Sequence, residues 1–398
     1  MAGRGRGSWV SGICVALLVG CGGPSAPDAA PADVRRMLDR RADAVLDRDA
    51  GAYRATGQDA GAADVYDNLR EVPLTSWKYR LTSFERTGDR ATATADLRYR
   101  IKGYDSEPLT TSRALTLRER DGHWYVAAER PAEKSSEQLW DQGPVTSVRG
   151  AHSLVLGVGN GEREKTTLRG YADLADRAVP LVRDAWKGKW PQRIVVLVPK
   201  SLKGMAGLLG APASGYQGIA AVTTGEAGGS GAAPADRIIV NPEAYGVLGD
   251  FGKQVVLTHE ATHVATRAHT SSATPLWLSE GLADWVGYRG TGRTAAQAAP
   301  ELRRAVERER LPAALPEDDD FGFSGDAEKL AAAYEGSWLA CRMIADQWGE
   351  ADLRDFYEAV GAHEKRPGAV EDAMEEVLDT TPEEFTAQWR TYLREELG

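Results

Sequence analysis

The chain is read as α+β. An N-terminal helix and a β-sheet are expected first, followed by a mainly helical domain carrying a small β-sheet. Three observations predict this. Apolar positions first recur at helical spacing and then alternate, as in Ala91-Thr92-Ala93-Thr94-Ala95. Near mid-chain a strand–helix–strand order follows. Beyond Val255 the pattern is helical nearly to the end.

Arg4 and Arg6 precede an apolar stretch, Trp9 to Gly20, that is shorter than the roughly 18–20 residues of a membrane span. It runs into Leu18-Val19-Gly20-Cys21, which resembles the lipobox of bacterial lipoproteins. That resemblance implies removal of residues 1–20, a lipid on Cys21, and an exported protein held on the extracytoplasmic side of a cell membrane. The alternative is an ordinary signal peptide or a short buried segment. Residues 21–31 are rich in Gly, Pro and Ala and read as a tether.

A helix is expected from Pro31 to about Arg54, with Val34, Met37, Leu38, Ala42, Val45 and Leu46 on one side. Strands follow at Trp77–Glu85, Ala91–Ile101, Thr110–Glu119 and His123–Ala128, and Asp121-Gly122 is a hairpin turn signal. Helix first, then a meander ending in D-G-x-W-Y-V, resembles the cone-shaped nuclear-transport-factor-two-like, or SnoaL-like, domains. Residues 32–132 are assigned to that unit. Such cones hold ligands or serve as interaction modules. His123 and Tyr125 read either as pocket-lining or as hairpin residues, and no catalysis is assigned to them. The polar stretch Arg130 to Gly143 reads as the boundary, with the second domain at 145–398. There, a strand (Ser153–Gly157), a helix (Thr167–Trp186) and a strand (Arg193–Val198) are expected. An exposed Gly/Ala-rich loop, Gly204–Gly231, comes next. Ile219–Val222 or Ile238–Val240 can serve as an edge strand that pairs with an extended peptide; an inert insertion is the alternative.

His259-Glu260-Ala261-Thr262-His263 is the segment that names a chemistry. The chain holds six His, and a chance H-E-x-x-H is expected at roughly the one-per-cent level. Val255, Val256 and Leu257 before it and Val264 and Ala265 after it make the flanks helical and apolar. On a helix, positions i and i+4 stand one above the other, so two imidazoles can share a tetrahedral Zn²⁺. Glu260 can then act as general base on a water in the open coordination position. A third ligand is needed, and Glu280 is assigned to it. Asp284, on the same helical face, becomes the acceptor for the outer N–H of a metal-bound histidine. The combination of H-E-x-x-H with Trp277-Leu278-Ser279-Glu280-Gly281-Leu282-Ala283-Asp284 resembles the gluzincin peptidases, and more closely the peptidase MA-like families. The resemblance covers approximately 145–398 and is most specific over 255–288. It implies a zinc-dependent metallopeptidase acting on a peptide or protein substrate. Tyr334, in a Y-x-x-S-W stretch, either donates to the oxyanion or merely packs its helix.

Other classes fare less well. A metzincin places a third His six residues after the second, where His269 stands, but Thr266 replaces the helix-breaking Gly. Met343 lies in a helical pattern and makes a poor methionine turn. Cys14, Cys21 and Cys341 leave one thiol in a mature lipoprotein, and Cys341 reads as buried. A net charge of −10 without a basic block gives no support for nucleic-acid binding. The acidic run Glu317 to Asp320 lacks the ligand alternation of an EF-hand and reads as a solvated loop. The alternative from another class is an inactive zincin-fold lipoprotein that acts as a binding or cell-envelope module.

Overall fold

A computed structural model describes residues 29–57, 64–224, 235–322 and 326–398. Cys21 and the lipobox lie outside the described residues. The architecture is α+β, as expected. The N-terminal unit begins with α1 (Ala30–Leu46), α2 (Ala50–Ala55) and α3 (Asp64–Asn68). The expected single helix is broken at Arg48, whose φ is 58° and whose guanidinium donates to the Leu69 carbonyl at 2.9 Å. An antiparallel meander follows, β1 (Leu74–Thr87), β2 (Arg90–Ile101), β3 (Leu109–Arg120) and β4 (His123–Pro131), in that spatial order. Asp121 and Gly122 both have positive φ, 50° and 73°, as a two-residue hairpin turn of the twist-matched type requires. His123 is exposed on β4.

Charges are buried inside this unit, and they are paired. Arg41 and Arg113, both fully buried, approach Glu129 at 3.4 and 3.3 Å, and Arg113 also grips Asp141 at 2.7 Å. Tyr79 donates to Glu129 at 3.0 Å. Removing one member leaves an uncompensated buried charge, which costs about 3–5 kcal/mol. Asp141 belongs to the stretch read as a boundary, and its neighbours Leu139 and Trp140 are buried in the core of the N-terminal unit.

The second sheet consists of β5 (Val145–Arg149), β6 (Ser153–Val158), β7 (Ile194–Val198), β8 (Ala221–Thr223) and β9 (Ile238–Val240), in the order β5-β6-β7-β9-β8. Helix α4 (Glu162–Ala185) crosses between β6 and β7 and begins five residues before the expected Thr167, because its first turn is polar and shows no apolar periodicity. The expected loop after β7 contains a helix, α5 (Leu202–Leu209), capped by the Ser201 hydroxyl and by Gly210 at φ 67°. Glycine-rich composition hid these cap signals. Strand side chains alternate between two cores. Val155, Ile194, Val196, Ile238 and Val240 face the helical core; Leu154, Leu156, Val195 and Ile239 face the N-terminal unit. Both faces are thus covered, which explains the nearly continuous apolar runs of β6, β7 and β9. At the seam lies a cavity of about 380 Å³, lined by Tyr99, Trp140, Leu156, Thr224 and Arg237 among others.

Helices complete the chain: α6 (Pro242–Gly246), α7 (Asp250–Thr266), α8 (Leu276–Tyr288), α9 (Ala295–Ala298), α10 (Pro300–Glu307), α11 (Ala327–Gln347), α12 (Glu350–Ala362), α13 (Ala369–Leu378) and α14 (Pro382–Leu397). The last opens with a reciprocal Thr381–Glu384 capping box. No described helix is long and apolar enough to cross a membrane.

Glu335 of α11 caps α10, accepting from the Glu301 and Leu302 amides at 3.2 and 2.7 Å. Burial nevertheless pushes its carboxyl up to about 7. A carboxyl raised on folding binds more protons in the native state, so its contribution to stability falls as pH rises from about 4.5 through about 7. Melting temperatures across that window should therefore decline more steeply for the wild type than for Glu335→Gln. Parallel curves would contradict this.

Candidate metal centre

Helix α7 is buried nearly all round, so its polar side chains must find partners within the protein. Thr258, Thr262 and Thr266 solve this by donating to the carbonyls four residues back, at 2.8, 2.8 and 3.1 Å. His259 and His263 project from one side, with ring centroids 4.7 Å apart and their Nε2 atoms separated by 2.9 Å. From α8, Glu280 brings Oε2 to 3.2 Å from His259 Nε2 and 3.7 Å from His263 Nε2. These three are the only group of possible metal ligands among the described residues.

The donor set fits zinc. Bonds of about 2.0–2.1 Å in a tetrahedron put ligand atoms roughly 3.3–3.5 Å apart, and the three separations bracket that value. Asp284 supplies a second test. Its Oδ1 lies 2.8 Å from His259 Nδ1, which places the proton on Nδ1 of the neutral ring and turns the Nε2 lone pair into the cluster. Burial opposes charge on His259, but Asp284 and then Glu280 outweigh it and raise its pKa. Burial also opposes charge on Glu280, yet His263 and His259 hold its carboxyl well below the usual range. A divalent cation in the cluster would take the place of those protons.

The helices approach closely because glycines line the contacts. A Cβ on Gly287 of α8 would lie 3.3 Å from the Val255 carbonyl oxygen and 3.9 Å from His259 Cβ on α7. Gly281 of α8 has no part in that contact. It faces α11 instead, where a Cβ would meet the Ser337 carbonyl oxygen. The start of α8 is fixed by Asp318, which accepts the Leu276 amide at 2.9 Å and pairs with Arg366 at 2.8 Å. The acidic run is largely exposed, as a solvated segment would be, and one of its carboxylates nevertheless holds the helix that carries Glu280.

Glu260 is 5% exposed, and its Oε2 accepts a 2.7 Å hydrogen bond from Thr223 on β8. Nothing in the sequence marked Thr223, although the neighbouring Ile219–Val222 stood out as an edge-strand candidate. The structure makes β8 the sheet edge and β9 an inner strand. Tyr334 lies on α11, where its ring stands edge-on to Phe321. His269 lies outside the cluster. It occupies a short turn after α7 with its ring against Trp186, and its carbonyl packs on Gly361 of α12. Cys341 and Met343 are buried in α11.

No family model matches the chain, and no curated protein matches its sequence. Several solved structures are similar to parts of it. Yeast LTA4 hydrolase shares 12% identity, with 81% of this chain and 60% of that chain covered, at a TM-score of 0.38. An M1 zinc metallopeptidase from Deinococcus radiodurans shares 12% identity over 83% of this chain and 95% of that one, with a TM-score of 0.33. A protein of unknown function from Mycobacterium tuberculosis shares 14% identity over 30% of this chain and 81% of its own, with a TM-score of 0.24. These likenesses are remote, and the functional argument rests on the side chains.

Two substitutions probe the centre. Asp284→Ala should weaken zinc binding about 10–100-fold in a competition titration, because His259 loses the group that orients it. Gly281→Ala should lower thermal stability and zinc affinity together by forcing α8 away from α11. Wild-type affinity in both would refute the assigned geometry.

Proposed function

We propose that this chain is a zinc-dependent peptidase, tethered by a lipid on Cys21 to the extracytoplasmic face of a cell membrane. One observation carries the catalytic part. A carboxylate and two imidazoles converge, one imidazole is hydrogen-bonded to Asp284, and the residue after that imidazole in sequence is a buried carboxylate with a hydrogen bond of its own. The tether rests on Arg4, Arg6 and the Leu18-Val19-Gly20-Cys21 segment.

His259, His263 and Glu280 would hold the metal, leaving one position open. Zinc bound there supplies a Lewis acid for the scissile carbonyl and lowers the pKa of a coordinated water toward about 7. Glu260 accepts a proton from the attacking water as the oxygen–carbon bond forms. It returns that proton to the amide nitrogen as the carbon–nitrogen bond breaks, releasing an amine and a carboxylate. Tyr334 is assigned as the donor to the oxyanion. Among the described residues β8 is the edge of its sheet, so it would offer backbone groups to an extended substrate, which would lie beside Glu260 because Thr223 on that strand touches it.

The direct test compares zinc-loaded wild type with Glu260→Gln on a peptide library. The wild type should hold about one zinc per chain and lose cleavage to a chelator. The variant should keep its zinc and lose about 10²–10⁴-fold in rate. Unchanged cleavage in the variant would remove Glu260 as the base. No cleavage by the zinc-replete wild type would favour a non-catalytic binding role.

A further inference from the structure

The Thr223 side chain is wholly buried and lies within reach of two oxygens of Glu260, the carboxylate Oε2 at 2.7 Å and the backbone carbonyl at 3.1 Å. A hydroxyl has one proton to give, and the shorter contact marks the carboxylate as its acceptor. Donation to Oε2 fixes one carboxylate oxygen and so sets the direction in which the other presents its lone pairs. A base held this way pays no reorientation cost when the proton moves.

Thr223 is in turn held by its surroundings. The next residue, Thr224, closes the β8–β9 pairing with Arg237: its amide donates to the Arg237 carbonyl at 2.8 Å, and its hydroxyl accepts the Arg237 amide at 2.9 Å. From the end of α7, Arg267 donates to the Thr224 carbonyl at 2.8 Å and to Asp236 at 3.0 Å. The Arg237 guanidinium reaches across the seam to Asp105 in the N-terminal unit, at 2.8 Å. Both residues are buried, and Asp105 also accepts the Ile101 amide at 2.7 Å, so its position follows the end of β2. The pair ties the start of β9 to the N-terminal unit, and removing one partner would leave a buried charge uncompensated.

We propose that Thr223 is a positioning residue for Glu260, and that the N-terminal unit holds it in place through the Asp105–Arg237 pair. The N-terminal unit thereby acquires a role in catalysis without contacting substrate. This rests on the peptidase reading, but the geometry can be tested apart from it.

The full chain, zinc-loaded, is compared as wild type, Thr223→Val, Thr223→Ala, Thr223→Ser, Asp105→Asn and the double variant Thr223→Val with Asp105→Asn. The measurements are kcat, KM, bound zinc and the affinity of acetohydroxamate, a zinc ligand whose proton a neighbouring carboxylate accepts. Thr223→Val and Thr223→Ala should lower kcat by about tenfold or more with KM and zinc content unchanged, and should weaken acetohydroxamate binding in step. Thr223→Ser, which keeps the hydroxyl, should restore both to within about threefold. Asp105→Asn should act in the same direction and add little to Thr223→Val, since both break one chain of contacts. Wild-type kcat and hydroxamate affinity in Thr223→Val, or a loss that Ser does not rescue, would overturn the role of Thr223. Full additivity with Asp105→Asn would overturn the link to the N-terminal unit. If the wild type cleaves nothing, the peptidase reading fails and the hydroxamate series alone decides the positioning role.

Discussion

Bringing the Glu280 carboxylate to 3.2 Å from the His259 ring requires two buried helices to lie nearly in backbone contact, and only particular residues permit that. Gly287 lets α8 meet α7 beside His259, and Gly281 lets α11 close on the other side of α8. Once that contact exists, three donor atoms converge without help from any loop. The rest of the helical core braces it: Asp318 holds the start of α8, and the fully buried α11 residues Leu339, Met343 and Ile344 belong to the same core.

The second sheet works from the opposite side. Its edge strand runs beside α7, and Thr223 is where strand and helix exchange a side-chain bond at the Glu260 carboxylate. Because the sheet is apolar on both faces, it needs a cover on each. Helices supply one, and the N-terminal unit supplies the other through Leu154, Leu156, Val195 and Ile239. The N-terminal unit is thus part of the scaffold behind the edge strand that touches Glu260, joined to it by a buried ion pair as well as by apolar packing.

Much of this could be read in advance, for reasons that differ by residue. His259, Glu260 and His263 are local: helical spacing alone puts the two rings on one side. Glu280 and Asp284 share that property within α8, and their meeting with the histidines follows once two short helices are packed antiparallel in one core. Thr223 is different. It lies 37 residues from Glu260, and no periodicity announces which strand will cross a helix. Apolar runs in β6, β7 and β9 carry no information on what covers each face, and Ile238–Val240 reads equally as an edge strand. Helix α5 was hidden by glycines, and the separation of α1 from α2 by the left-handed conformation of Arg48, a residue type that gives no turn signal. Asp318 was masked by its own company, since one carboxylate in an acidic run looks like the next.

The most direct measurement is zinc-edge X-ray absorption on the zinc-loaded chain. The account predicts four light-atom ligands at about 2.0–2.1 Å, two of them imidazole nitrogens, with the remainder oxygen. A third imidazole would bring His269 to the metal. Sulfur at about 2.3 Å would implicate Cys341. Either result would contradict the His259, His263 and Glu280 centre.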